Sequence, residues 1–126
     1  MIRESFRKFF SSWKYLGEVK SLRSTYYVFE LEECFAVVRP DSRLKDSYNI
    51  VFLTKNIVNS IYELYCNERS LTTKKILSDR KMDAFFPNVD LKTRQLLILQ
   101  SLLVIVSQGK AKVRRKGRTL SFSFLS

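Results

Sequence analysis

The chain has 126 residues, a length that predicts one domain, and its hydrophobic content of 45% is sufficient for a packed core. Its net charge of +11 is uneven, because residues 91–126 contain eight Lys or Arg and no Asp or Glu. The absence of His excludes Ser-His-Asp and Cys-His nucleophiles and the common His-containing zinc sites.

The cysteine pattern and the hydropathy pattern both point to a protein of the cell interior. Cys34 and Cys66 are far apart and lack CxxC spacing, so we expect two free thiols in a reducing compartment. No apolar run reaches the roughly 18 residues needed to cross a bilayer, and no signal peptide is visible. We therefore expect a cytoplasmic protein with no membrane partner, no cofactor and no metal.

An amphipathic helix is predicted over residues 2–16. Apolar side chains recur there every three or four residues, which places them on one helical face: Ile2, Phe6, Phe9, Phe10, Trp13 and Leu16. Gly17 is expected to end this helix. Such a helix packs on its own domain or on a second subunit, or lies on a membrane surface.

Three strands are predicted next, over residues 25–32, 34–39 and 48–53. These segments are rich in aromatic and β-branched residues, and a Pro-Asp-Ser turn separates the second from the third. Short adjacent strands favour a small antiparallel meander. Tyr26, Tyr27 and Phe29 lie on the first strand, where they serve either as core residues or as a stacking platform for RNA bases.

Two helices are predicted at the start of the second half, residues 54–126. Thr54 is a suitable N-cap for a helix over residues 55–68, which carries apolar residues on one face. Thr72 or Thr73 can cap a short helix. The connector 82–90 contains two adjacent Phe residues, which we expect to anchor the loop in the core.

The last helix and the segment after it differ sharply in polarity. Asp90 is predicted to cap a helix ending near Gln108, and residues 96–106 are apolar nearly all round. A helix of that kind is buried, either in the fold or in an oligomer interface. Residues 111–116 and 119–124 then alternate around Gly117, which predicts a hairpin with an apolar inner face and a basic tip.

The order from residue 55 onward is helix, short helix, longer helix and basic hairpin. This order resembles a winged-helix DNA-binding domain over residues 54–125. The resemblance implies that the third helix enters the major groove by its N-terminal part and that the hairpin, or wing, contacts the backbone or the minor groove. On this basis the helix would contribute Lys92, Thr93, Arg94 and Gln95, and the hairpin Lys110, Lys112, Arg114, Arg115, Lys116 and Arg118.

The sequence therefore predicts a single α+β domain, residues 1–126, that binds nucleic acid without catalysis. It has an N-terminal amphipathic helix and a small antiparallel sheet (1–53), followed by a winged-helix-like half (54–126). Double-stranded DNA is favoured over RNA because of the winged-helix order, and a region rich in Lys and Arg with no acid is typical of a polyanion-binding surface.

Two alternatives are open. The chain could be an adaptor or accessory subunit that forms a homodimer, or binds a protein partner, through the apolar helices at residues 6–16 and 96–106. It could also be a metal-dependent nuclease, since Asp41 and the later Asp79-Arg80-Lys81 resemble the PD…(D/E)xK pattern.

Overall fold

The computed structural model describes residues 12–21, 24–41, 43–44 and 47–125. They form an α+β fold with a four-stranded antiparallel sheet, a two-stranded hairpin and three α-helices, together with a short 3₁₀ helix. The predicted fold class and the predicted antiparallel sheet are therefore confirmed. The sheet and the hairpin enclose one long C-terminal helix.

The four-stranded sheet is a meander. Its strands are β1 (Lys14–Lys20), β2 (Thr25–Glu30), β3 (Cys34–Pro40) and β4 (Tyr48–Thr54), in spatial order β1-β2-β3-β4. The three predicted strands correspond to β2, β3 and β4. Their side chains alternate between two faces, and the inner face contributes Val28, Val37 and Leu53 to the main core.

Strand β1 corrects the predicted N-terminal helix. The first ten residues of the predicted range 2–16 lie outside the described residues, but Lys14–Leu16 begin a strand that pairs with β2. The pairing register shifts between Tyr15 and Gly17, where Gly17 has a φ of 154°. Such a bulge adds one residue, so two positions three apart can approach the same core. Leu16 and Val19 both pack there, whereas Trp13, which the predicted helix placed on the same face as Leu16, packs on the outer face of the sheet.

The helices begin where the capping residues predict. Thr54 Oγ1 accepts a hydrogen bond from the backbone amide of Ile57 at the start of α1 (Lys55–Tyr65), and Thr72 similarly caps α2 (Thr73–Leu77). A 3₁₀ helix (Arg80–Ala84) follows. Phe86, in the predicted connector, is 1% exposed and anchors that loop in the core.

Helix α3 (Leu91–Ser107) is the centre of the molecule. It packs against α1, α2 and all four strands of the sheet, and it also contacts the strand that follows it. Ile98 and residues 102–105 are fully buried, which confirms the predicted burial of this stretch, although Leu96 at its start is 44% exposed. Asp90 occupies the N-cap position, but its side chain makes no capping hydrogen bond.

The C-terminal hairpin has the predicted strands β5 (Ala111–Lys116) and β6 (Thr119–Phe124). Gly117 begins the two-residue turn with a φ of 61°, a conformation that glycine adopts without strain. Leu71, between α1 and α2, exchanges two backbone hydrogen bonds with Phe122 of β6, at 2.9 and 2.8 Å. This bridge holds the hairpin on the helices.

One hydrophobic core contains buried residues from the inner face of the sheet, from all three α-helices and from the hairpin. A smaller cluster of Phe29, Ala36 and Val38 lies on the outer face of the sheet, where Trp13 packs against it. Within the described residues, no helix is both long and apolar enough to span a membrane.

Candidate nucleic-acid interface

The basic residues of the hairpin divide between its two faces. Arg115 pairs with Leu120 and shares the face on which Val113 and Phe122 meet the core. Lys112 and Arg114 pair with serines and lie on the opposite face. All three basic side chains are exposed. The strand period therefore separates residues that are adjacent in the sequence into two distinct basic surfaces.

The remaining basic positions of the hairpin lie at its two ends. Lys116 pairs with Thr119 across the turn, and Arg118 is the second residue of the turn. Lys110, at the opposite end, places its Nζ 4.8 Å from the centroid of the Tyr62 ring, and Tyr62 in turn stacks on Phe124 at 5.8 Å. Lys110 is therefore held at the base of the hairpin and not at its tip.

A cleft of about 590 Å³ separates the hairpin from the sheet. Three arginines converge on it, Arg39 from the end of β3 and Arg115 and Arg118 from the hairpin, and none of the described residues that line it is acidic. The described lining residues are Ser21, Ser24, Tyr26, Arg39, Leu99, Arg115, Arg118 and Leu120.

A second cleft, of about 530 Å³, continues from the first along α3. The two clefts share Tyr26, Arg39 and Leu99, so they adjoin each other, and we call them together the arginine groove. Asn49 and Gln100 add two side-chain amides to its far part, among aliphatic residues. The groove is therefore cationic beside the hairpin and neutral, with polar amides, beside β4.

Register explains why Arg39 faces this groove. It pairs with Asn49 and lies two residues after Val37, so both Arg39 and Asn49 belong to the inner face of the sheet. The sheet extends past the packed core at this end, which leaves Arg39 exposed. Arg39 was absent from the predicted site. The sequence feature that could have indicated Arg39 is a charged residue on the apolar face of a predicted strand, immediately before a proline.

The arginines of the groove form no ion pair with the acidic residues that the structure describes. Among the described residues, the acidic partners of ion pairs are Glu30, Asp41 and Asp83, and none of them pairs with Arg39, Arg115 or Arg118. The Nε of Arg115 donates to the Gly117 carbonyl oxygen at 3.1 Å, which orients its guanidinium at the turn. Three unneutralised guanidinium groups around one cleft favour the binding of an anion.

Arg94 does not join this surface. Its guanidinium donates to Asp83 Oδ1 at 2.7 Å, to the Phe86 carbonyl at 2.8 Å and to the Val89 carbonyl at 3.0 Å. The side chain is only 18% exposed. Arg94 therefore holds the connector against the start of α3, and we leave it out of the interface.

The other predicted positions at the start of α3 are exposed: Lys92, Thr93 and Gln95. Lys92 and Leu99 are seven residues apart, which places them on the same helical stripe about 10 Å from each other along the axis. Since Leu99 lines the arginine groove, this stripe extends the surface toward the helix start. From residue 97 onward the side chains of α3 are half-buried or buried, so the exposed side chains of this helix lie within residues 91–96.

The aromatic residues of β2 are used in packing. Tyr26 is 9% exposed and belongs to the main core, while Phe29 is 3% exposed and meets Trp13 edge-on at 5.9 Å. Tyr27 packs against the same outer cluster. Of the two uses predicted for these rings, the structure shows core packing.

The carboxylates of the nuclease pattern are each engaged within their own loop. Asp41 accepts from the Arg43 backbone amide at 2.9 Å. Asp79 accepts from the Tyr65 hydroxyl at 2.6 Å, a bond that lowers the pKa of Asp79. The part of the chain that the structure describes contains no group of three or more potential metal ligands. Cys34 and Cys66 are free thiols.

Comparisons with protein-family models, with curated proteins and with solved structures gave no match to this chain.

Proposed function

We propose that this protein binds nucleic acid, with double-stranded DNA favoured, and that it does so without catalysing a reaction. The observation that carries the proposal is the convergence of three arginines, with no acid among the described lining residues, on a cleft that adjoins the exposed, basic hairpin. Phosphate groups are the ligands that Lys and Arg bind most strongly in nucleic acids. Two free cysteines accord with a cytoplasmic location.

The order of elements supports the winged-helix resemblance on which the DNA preference rests. The hairpin follows α3 directly, and the Leu71 bridge ties it to the segment between α1 and α2. Burial of most of α3 changes the expected mode of binding, because its exposed polar side chains are Lys92, Thr93 and Gln95. Most of the affinity is then contributed by the phosphate backbone, and binding is weakly sequence-specific.

An adaptor role is the second candidate. Residues 96–106, the predicted contact surface, are largely buried in this chain's own core. The outer face of the sheet, however, exposes Phe52 (55%) and Tyr15 (42%). Phe52 packs edge-on against Trp13 at 5.9 Å, so part of an aromatic cluster is open to solvent there. A protein partner or second copy would bury these rings.

Fluorescence anisotropy across a salt series tests nucleic-acid binding directly. Duplex DNA, single-stranded DNA and RNA would be titrated with the wild type and with a variant in which Arg114, Arg115 and Lys116 are changed to Glu. Each lost phosphate contact lowers the slope of log K against log salt by about 0.9 for duplex DNA, so we expect the slope to fall by about 2–3.

The matched control changes Lys74, Arg80 and Lys81 to Glu. These exposed residues lie on α2 and the 3₁₀ helix, away from the hairpin, and the change in net charge is identical. Equal weakening by both variants would show that net charge alone matters and would contradict a hairpin interface. Failure of the wild type to bind any of the three ligands at low salt would refute the proposed function. A dimer in size-exclusion chromatography that disappears in Phe52→Ser would then favour the adaptor role.

A further inference from the structure

The arginine groove has a second polar feature besides its arginines. Gln100 is 3% exposed and lines the groove from α3, yet its side-chain amide forms no hydrogen bond within the described part of the chain. A glutamine amide has two donor hydrogens and a carbonyl acceptor, and buried polar groups are nearly always paired. Its polar atoms are not enclosed by protein, so the partner left for this amide is water or a ligand in the groove.

The groove arranges its chemistry in a definite order. Arg115 and Arg118 lie at the hairpin end, Arg39 lies where the two clefts meet, and Gln100 and Asn49 lie at the β4 end. Tyr26 and Leu99 line both clefts, so the surface between the charges and the amides is largely apolar. A ligand that matches this order has an anionic group at one end, a compact middle part, and a flat group at the other end with hydrogen-bond donors and acceptors along its edge.

We propose that the arginine groove binds one nucleotide, with its phosphate between Arg39 and the hairpin arginines and its base beside Gln100 and Asn49. Guanidinium groups match phosphate oxygens with paired donors. Asn and Gln amides pair with the amino group and ring nitrogen of adenine, which is the recognised bidentate contact of these side chains. Each cleft, at about 590 and 530 Å³, lies within the usual size range of small-ligand sites.

The nucleotide has two possible sources with the same chemistry, a free nucleotide or an unpaired nucleotide of a bound strand. The second source rests on the proposed function, because it requires that nucleic acid be bound at the hairpin. Binding of a free nucleotide does not depend on the proposed function. The test therefore needs both a free nucleotide and oligonucleotides.

Isothermal titration calorimetry with adenosine 5′-monophosphate and ribose 5-phosphate separates the two halves of the site. We expect the wild type to bind the nucleotide more tightly than the sugar phosphate. Arg39→Gln should weaken both ligands about tenfold or more, because it removes charge-assisted hydrogen bonds to phosphate. Gln100→Leu should weaken only the nucleotide, by about fivefold, because one neutral hydrogen-bonding group is lost.

The control is Arg80→Gln, which removes the same charge from an exposed residue of the 3₁₀ helix, outside the groove and the hairpin. It should leave both affinities within about twofold of the wild type, since screened surface charges at a distance contribute little. Circular dichroism melting of each variant establishes that the fold is retained. A general loss of structure would weaken both ligands alike, whereas the proposed site requires that Gln100→Leu affect one ligand and spare the other.

Several outcomes would overturn the inference. Equal affinity of the wild type for the two ligands, equal effects of Arg39→Gln and Arg80→Gln, or no binding of the nucleotide at all would each do so. Duplex binding in the anisotropy assay without nucleotide binding would refute this inference alone. Nucleotide binding without any nucleic-acid binding would support the groove, identify the free nucleotide as the source, and refute the proposed function.

Discussion

Replacement of Arg94 by Met separates a structural residue from a binding residue at the start of α3. The guanidinium donates to two backbone carbonyls, at 2.8 and 3.0 Å, and to Asp83 at 2.7 Å. Met retains most of the apolar stem of the side chain but none of its donors. The Val89 carbonyl loses this donor, and the Phe86 carbonyl keeps the weaker bond from the Val89 amide at 3.3 Å, in a region where the Arg94 side chain is 18% exposed.

The expected cost is about 2–4 kcal/mol. Each lost hydrogen bond to a carbonyl contributes about 1 kcal/mol or somewhat more, because the donor is charged. The ion pair adds less, since the Asp83 side chain is 65% exposed and water screens the attraction. A loss of this size is a large fraction of a typical unfolding free energy of about 5–15 kcal/mol.

Urea denaturation followed by circular dichroism measures this loss, with Lys92→Met as the matched control. Lys92 is exposed and has no ion pair among the described residues, so its replacement should change stability by less than about 0.5 kcal/mol. DNA binding should show the reverse pattern. Lys92→Met should lower the salt slope by about 0.9, whereas folded Arg94→Met should leave it unchanged.

Equal urea midpoints for the two variants would refute the structural role of Arg94. So would a loss of DNA binding in Arg94→Met at unchanged stability, which would instead support the base-contacting role implied by the winged-helix resemblance.

Three further predictions concern the fold. Leu102→Ala should destabilise the protein by about 2–5 kcal/mol in urea melts because Leu102 is fully buried, whereas Leu96→Ala, at 44% exposure, should cost clearly less; similar losses would contradict the described packing. Tyr65→Phe should raise the pKa of Asp79 toward its ordinary value, measurable by NMR titration, because the hydroxyl stabilises the carboxylate. A carboxyl group whose pKa is lowered by folding stabilises the fold at neutral pH, and this stabilisation is lost as the pH falls through that pKa. The difference in unfolding free energy between wild type and Tyr65→Phe should therefore shrink below a pH of about 4. A difference that stays constant with pH would exclude this linkage. Gly117→Ala should lower the melting temperature through a cost of about 1–2 kcal/mol, because its φ of 61° is unfavourable for residues with a Cβ, and an unchanged melting temperature would argue against this turn.

The elements that could be predicted are those with local signals. Thr54 and Thr72 are found as caps, and both hairpin strands begin and end where their alternation predicts. Caps and tight turns satisfy their hydrogen bonds within a few residues, so short stretches of sequence contain the whole signal. The burial of α3 was predictable for a related reason, because a helix that is apolar all round has no face suited to water.

The start of the chain shows where local patterns mislead. The spacing of Trp13 and Leu16 fits one face of a helix, but the segment pairs with β2, and the two side chains pack on opposite faces of the sheet. The competing signal, an available strand edge on β2, lies in the next segment of the chain and not within the predicted range 2–16. Periodicity alone cannot distinguish a helix from a bulged strand when the partner strand is unknown.

The candidate site was predicted only in part for the same reason. The sequence by itself determined that positive charge accumulates after residue 91, that a hairpin carries it, and that α3 is buried, because these properties depend on residue type and local period. The tertiary structure decided which basic residues lie on the same surface. Arg114 and Arg115 lie on opposite faces of the hairpin because side chains alternate along a strand. The sheet register places Arg39 opposite the hairpin, and hydrogen bonds to the connector hold Arg94 away from this surface. Contacts between residues distant along the chain depend on strand register and packing, which no local pattern encodes.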